Sequence, residues 1–220
     1  MQDKNKYYLS RFQPFIGMNT KEIIEHLKIE INHDAKNLCS KLSMYILGKS
    51  AFDDLKNDGY VIKSVRLNSS LTPKEAISFP AFQYEKIVKE DWQKSDLFFH
   101  LSKRYLFVFY SQTDFSIKLN CIREWAIREN DIKIAEKEWL NIKKIIFNGN
   151  LVKELKRGKR VTNFPKPSEN GVLHVRPHAL NSNDVFILPT VDKLTGLNYY
   201  TKHSFWLNKE FIKQKILING

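Results

Sequence analysis

The chain has 220 residues, long for one small domain and short for two large ones, and its 42% hydrophobic and 13% aromatic content suffices for a sizeable core, which excludes a disordered chain. No apolar run nears the roughly eighteen residues that could cross a bilayer, and the start, Met1 to Leu9, is polar and charged rather than signal-like. Thirty-six Lys+Arg against twenty-four Asp+Glu leave a net charge of +12, a surplus that favours a polyanionic partner such as nucleic acid. Cys39 and Cys121 are too few and too scattered for a disulfide scaffold or a zinc cluster, and read as buried thiols of a reducing cytoplasm.

In chain order, Asn19 is the predicted N-cap of a helix, with Glu22 three residues on to close a capping box and Ile23, Ile24 and Leu27 on one face. A second helix is expected from about Asp34 to Leu47, with Leu38, Leu42, Tyr45 and Ile46 inward and Gly48 as its stop. After a polar turn, Tyr60 to Leu67 alternates like a strand, with Val61, Lys63, Val65 and Leu67 on one face. Tyr105 to Tyr110 is apolar on both faces and reads as a central strand covered on both sides. A further strand pair is expected within Phe115 to Ile127.

From Asp131 the period changes to three and four: Ile132, Ala135, Trp139, Ile142 and Ile146 mark a helix that Asn148-Gly149 ends. Lys153, Lys156, Arg157 and Arg160 then lie about one helical turn apart, as either a solvated helix end or a face able to follow phosphates. Strands follow at Val172–Val175, Val185–Leu188 and Tyr200–Leu207, and a last helix starts at Asn208. No repeat or linker interrupts this order, so residues 1–220 read as one mixed α/β (α+β) domain with a central sheet flanked by helices.

One segment carries chemistry. A metal-dependent nuclease commonly sets an Asp in a turn before a strand and Glu-x-Lys within the strand, where residues two apart face the scissile phosphate together. Two carboxylates then hold Mg²⁺, which activates the attacking water, and the Lys steadies the developing charge. Here Asp54 and Lys63 have those positions, but Val61 stands where the second carboxylate belongs. An ordinary strand after an acidic turn shows the same pair.

Motifs elsewhere fall in a telling order. They are Leu47-Gly48, Lys103-Arg104-Tyr105-Leu106-Phe107, Trp139 to Leu155 with its Gly149 break, Leu173-His-Val-Arg176-Pro177-His178-Ala179-Leu180-Asn181-Ser182, and Ser204-Phe205-Trp206-Leu207-Asn208-Lys209-Glu210-Phe211. From about Ile16 to Leu217 the chain resembles the MutH mismatch-repair nicking endonuclease and the restriction enzymes related to it that cut at GATC. The resemblance implies a restriction-endonuclease-like, MutH-like fold. It also implies that Arg176, Pro177, His178 and Trp206, with Asn208 and Lys209 beside them, form the DNA-reading part, helped by Lys153, Lys156, Arg157 and Arg160 at phosphates. His174, Arg176 and His178 alternate on one strand face, and His174-x-x-x-His178 shows no third ligand that would make it a metal site.

The departures from the family are as telling as the matches. Its catalytic Glu falls on Val61, an acidic residue of its second helix on Met44, and a helping Lys on Leu101; Asp54, Lys63 and Lys36 remain as catalytic remnants. The expectation is a nuclease fold without a functional catalytic or metal site, needing no cofactor itself, while Mg²⁺ serves the parent enzyme. The likeness is to the inactive C-terminal MutH-like copy of tandem-domain type II restriction enzymes, a GATC-binding allosteric domain whose partners are double-stranded DNA and an N-terminal catalytic domain of the same polypeptide, with no membrane. On that reading Met1 is an introduced start. The alternatives are an active Mg²⁺-dependent GATC endonuclease that rebuilds its site with Asp53, Asp58 or Glu75, and a protein-docking domain with an inherited nuclease fold.

Overall fold

The computed structural model describes residues 2–220, so Met1 lies outside the described residues. Its α-helices of six residues or more are α1 (Gln2–Ser10), α2 (Thr20–Leu27), α3 (Leu38–Leu47), α4 (Lys49–Asn57), α5 (Tyr84–Lys89), α6 (Asp96–Leu101) and α7 (Glu129–Phe147). Its strands are β1 (Tyr60–Leu67), β2 (Ile77–Phe82), β3 (Arg104–Gln112), β4 (Ile117–Trp125), β5 (Val152–Lys156), β6 (Lys159–Thr162), β7 (Leu173–Pro177), β8 (Val185–Ile187), β9 (Tyr199–Thr201) and β10 (His203–Leu207). The fold is mixed α+β. The chain divides into two compact units. The first takes the chain up to Glu75, Lys103–Ala126 and Ile212–Gly220; the second takes Ala76–Ser102 and Ile127–Phe211. Among the described residues no helix is long and apolar enough to cross a membrane.

The first unit is built on the sheet β1-β3-β4, with β1 parallel and β4 antiparallel to the central β3. All six residues of Tyr105–Tyr110 are buried, as their unbroken apolar run requires of a strand covered on both faces. On one face Leu106, Val108 and Tyr110 join a core with Leu42, Ile46 and Leu47 of α3 and Leu55 of α4. On the other, the rings of Tyr105, Phe107 and Phe109 follow one another at 5.6 and 6.0 Å. The capping box forms as expected: the Asn19 side chain accepts the Glu22 N–H, and the Glu22 carboxylate accepts the Asn19 N–H at 2.7 Å. Gly48 ends α3.

Four expectations are corrected here. Helix α3 begins at Leu38 rather than near Asp34, and Tyr45 is 49% exposed rather than inward. The polar turn before β1 is the helix α4, whose Ala51 and Leu55 bury a narrow stripe under a charged surface. In place of a strand pair within Phe115 to Ile127 there is one strand, β4, whose partner is β3.

The second unit is built on the antiparallel sheet β2-β10-β7 and on α7, which buries Ala135, Trp139, Ile142 and Ile146 as its period predicts. Trp139 meets Trp92 at 5.7 Å. Gly149 ends α7 with φ +64, and a Cβ there would stand 2.4 Å from the Val191 carbonyl oxygen, so only glycine fits. The expected strand Tyr200–Leu207 is two strands broken at Lys202: β9 pairs with β8, and β10 with β2 and β7.

The basic stretch is a β-hairpin, β5–β6, and not the helix end expected from its spacing. Arg157 (φ +49) and Gly158 (φ +74) are both left-handed, which makes the two-residue turn whose twist matches the flanking strands. Asp192, fully buried, fixes the hairpin's root by accepting the Val152 N–H at 2.8 Å. Burial works to raise its carboxyl, but that bond and those from Thr195 hold it below the ordinary carboxylate range.

Candidate functional site

The nuclease-like segment lies in the first unit. Val61 and Lys63 share a face of β1, as alternation requires, and burial lowers the Lys63 ammonium below its usual pKa. Asp54 is exposed on the last turn of α4 rather than in a turn, and Lys36 is exposed before α3. Met44 is 43% exposed and lines a cleft of about 480 Å³ with Ile31, Tyr45 and Phe52. Leu101, in the second unit, is fully buried on α6.

The other acids near Asp54 in the chain have other duties. Asp58 accepts the Tyr8 hydroxyl at 2.9 Å, and burial together with Asp58 and Asp54 raises that phenol to about 12. Glu75 pairs with Arg66 at 3.4 Å. Asp53 is an exposed residue of α4. Among the described residues no group of three or more His, Cys, Asp or Glu stands close enough to hold a metal ion. With Val61 and Met44 apolar, the positions that the resemblance assigns to Mg²⁺ keep one carboxylate, Asp54, and not the pair that would hold the ion between them.

The second unit brings three of the expected reading residues, Arg176, His178 and Trp206, together, whereas Pro177 lies opposite His203 on the other sheet face. In the pairing of β7 with β10, Trp206 lies opposite His174 and Ser204 opposite Arg176, so these side chains share one sheet face. Trp206 is the hub. Its ring lies 6.5 Å from that of His174 with planes 25° apart, 5.8 Å from that of His178, and 5.2 Å from the Arg176 guanidinium carbon. Arg176, Pro177 and His178 are exposed and Trp206 is partly so. The His178 Nδ1 lies 2.7 Å from the Ser204 hydroxyl, which fixes the ring. An oriented guanidinium, an imidazole and an indole thus form one shallow edge rich in hydrogen-bonding and flat aromatic surface.

His174 and Asn208 lie beneath that edge, 98% and 97% out of solvent. The Asn208 Nδ2 donates to the Pro167 carbonyl at 3.0 Å, so its Oδ1 is the acceptor left for His174 Nδ1. His174 is therefore the tautomer with its proton on Nδ1. Burial lowers its pKa, the bond to Asn208 opposes this, and the Arg176 charge lowers it further. Its Nε2 and the Trp206 indole N–H are buried and find no hydrogen-bond partner among the described residues. Asn208, expected at the DNA surface, is instead the support of the layer below it. Lys209, next along, is exposed.

The hairpin separates the four basic residues that a helix would have aligned. Lys153, Lys156 and Arg157 are exposed, while Arg160 is half-buried with its guanidinium carbon 4.5 Å above the Tyr200 ring. Lys156 pairs with Lys159, and Arg160 with Leu155, so the two pairs point to opposite faces. Lys159 belongs with Lys156 and was not among the expected contacts; only knowledge of the turn would have revealed it.

No family model matches the chain. A curated relative, the type II restriction enzyme Sau3AI of Staphylococcus aureus, is 27% identical over 245 residues, an alignment that takes in 94% of this chain and 50% of that enzyme. The chain thus spans about half the length of the curated relative it matches, and the likeness supports a relation to restriction enzymes.

Proposed function

We propose that this chain is a catalytically silent, double-stranded-DNA-binding domain of a type II restriction enzyme, with a MutH-like fold and specificity for GATC. One observation carries the reading: the exposed Arg176 and His178 form a joint edge with the half-buried Trp206, whereas Val61 occupies the position a nuclease needs for its second metal carboxylate. The relative named above is a restriction enzyme twice as long as this match, which leaves room for a separate catalytic part in the same polypeptide. In that arrangement the parent enzyme works in the cytoplasm and uses Mg²⁺ in its other half, and engagement of a GATC site here regulates cleavage there. Arg176 is the direct reader, because a guanidinium can bond the O6 and N7 of a guanine at once. Trp206 holds it in place and offers a flat apolar surface to the neighbouring base pair. The hairpin cations neutralise phosphates and supply the sequence-independent part of the affinity.

The test is a titration of the chain against duplexes with and without GATC in Mg²⁺, with strand cleavage followed in the same samples. Tight, GATC-preferring binding with intact strands is the expected result. Cleavage at GATC that disappears in Asp54→Ala would replace this reading with that of an active nuclease. Absence of binding to either duplex would favour a protein-docking role.

A further inference from the structure

The loop after β7, residues 178–184, is tied down at most of its residues although it lies on the surface. The His178 N–H donates to the Lys202 carbonyl at 2.8 Å, the Asp184 N–H to the Asn181 carbonyl at 3.2 Å, and the Lys202 N–H to the Asp184 carbonyl at 3.1 Å. Asn181 closes a small turn of its own by accepting the Asn183 N–H on its side chain at 2.9 Å. Asp184 is the knot. One of its oxygens takes the Lys202 ammonium at 2.5 Å and the other takes the backbone N–H of Leu180 at 3.0 Å. The lysine and the Leu180 N–H together hold its carboxyl below the usual range.

What this clamp presents to solvent is Leu180, 92% exposed. A lone exposed leucine is ordinary on a protein surface, where chain and side chain are free to move. Here the leucine's own backbone is a clamped element. It stands two residues from the imidazole that meets Trp206, on a loop tied to Lys202 and leading out of the strand that carries Arg176. An apolar knob four residues along the chain from the exposed Arg176, with its backbone ordered before any partner arrives, suits a surface that is anionic yet offers one apolar group at a fixed place. The floor of a DNA major groove is such a surface, and the apolar group on its base edges is the thymine 5-methyl.

We propose that Leu180 is a specificity-determining contact, its side chain packed against the 5-methyl group of a thymine when Arg176, His178 and Trp206 engage the site. The proposal rests on the DNA-binding reading above, and adds to it a residue that reads the A·T steps by shape rather than by hydrogen bonds. Asp184 acts through Leu180 as a positioning residue.

The experiment compares fluorescence-anisotropy titrations of the full chain against two duplexes, one with GATC and one with deoxyuridine in place of the thymine in that site. The wild type is expected to bind the thymine duplex about three- to fivefold more tightly, the worth of burying one methyl group. Leu180→Ala should bind both duplexes with the affinity the wild type shows for deoxyuridine, and Leu180→Met should keep most of the thymine preference. Asp184→Asn, with the clamp loosened, should lose part of that preference while still binding. A Leu180→Ala chain that keeps the wild-type ratio would overturn the proposal, as would a wild type that prefers GATC over scrambled DNA yet treats thymine and deoxyuridine alike. Both of those leave the DNA-binding reading intact; a wild type that binds no duplex removes the reading and the proposal together.

Discussion

The Arg176 guanidinium carbon stands 5.2 Å from the centre of the Trp206 ring, so an exposed charge on the β7–β10 face is held by an aromatic plane rather than by a carboxylate. Among the described residues no acid pairs with it, and its donor fork is left for an incoming partner. Arg176→Ala should therefore weaken binding to a GATC duplex by about 1–3 kcal/mol and to a scrambled duplex much less. Equal losses on both, read by anisotropy at fixed salt, would make Arg176 a phosphate contact.

Arg157 joins strain and charge in one residue. A non-glycine residue at φ +49 is uncommon, and asparagine tolerates that backbone better than arginine. Arg157→Asn is expected to raise the denaturation midpoint, by about 0.5 kcal/mol in stability. It should also lower the magnitude of the slope of log K against log salt by about 0.9, the mark of one lost phosphate contact. A more stable protein with an unchanged slope would show that the hairpin tip points away from DNA.

His203 sets an acid limit on stability. It is buried at the start of β10, and its Nδ1 donates to the Thr201 carbonyl at 2.7 Å. Burial drives its pKa from 6.5 to about 4; the Thr201 bond opposes this and the Arg160 charge adds to it. Between those two values the unfolded chain carries a proton on residue 203 that the folded chain refuses. Stability is thus full above about pH 6.5 and falls as the pH drops towards 4, by about 3 kcal/mol in all. In His203→Asn, whose amide can still donate to Thr201, urea midpoints should lose most of this dependence between pH 6.5 and 4.

Asn208→Ala removes the acceptor of the buried His174 Nδ1–H under Trp206 and the donor to the carbonyl of the exposed Pro167. The cost should be about 1–3 kcal/mol in stability, because the buried His174 Nδ1–H loses its partner. At temperatures where the variant is folded, the salt dependence of DNA binding should match the wild type. A variant of normal stability whose affinity for DNA is lowered would return Asn208 to the DNA surface.

These contrasts show what patterning reveals and where it stops. The Asn19–Glu22 cap, the buried run Tyr105–Tyr110 and the inward stripe of α7 all follow from local chemistry that acts within a few residues, and the sequence displays it. The β5–β6 hairpin was hidden because its turn relies on an arginine in a left-handed backbone instead of the usual Asn-Gly, and its alternating Lys, Glu and Leu also suit a helix end. Helix α4 was hidden by its charged surface, since Ala51 and Leu55 are all it buries. Asn208 looked like a surface residue because a polar side chain after a strand normally is one; its partners lie 34 and 41 residues away and leave no local sign. The gathering of Arg176, His178 and Trp206 was suggested by alternation and family likeness, but the role of Trp206 as their shared platform depends on the β7–β10 register.

The path of the chain through the two units bears on how the protein can be made and cut. Residues 76–102 leave the first unit for the second, 103–126 return to it, 127–211 leave again and 212–220 come back. Neither unit can be excised as a continuous stretch. A ribosome that has released everything up to Phe211 has still not supplied Ile212 and Ile216, which are buried within the segment that packs on β4. The unit that begins first in synthesis is completed last, and a truncation of nine residues at the far end should be felt beside a strand whose sequence ended at Trp125.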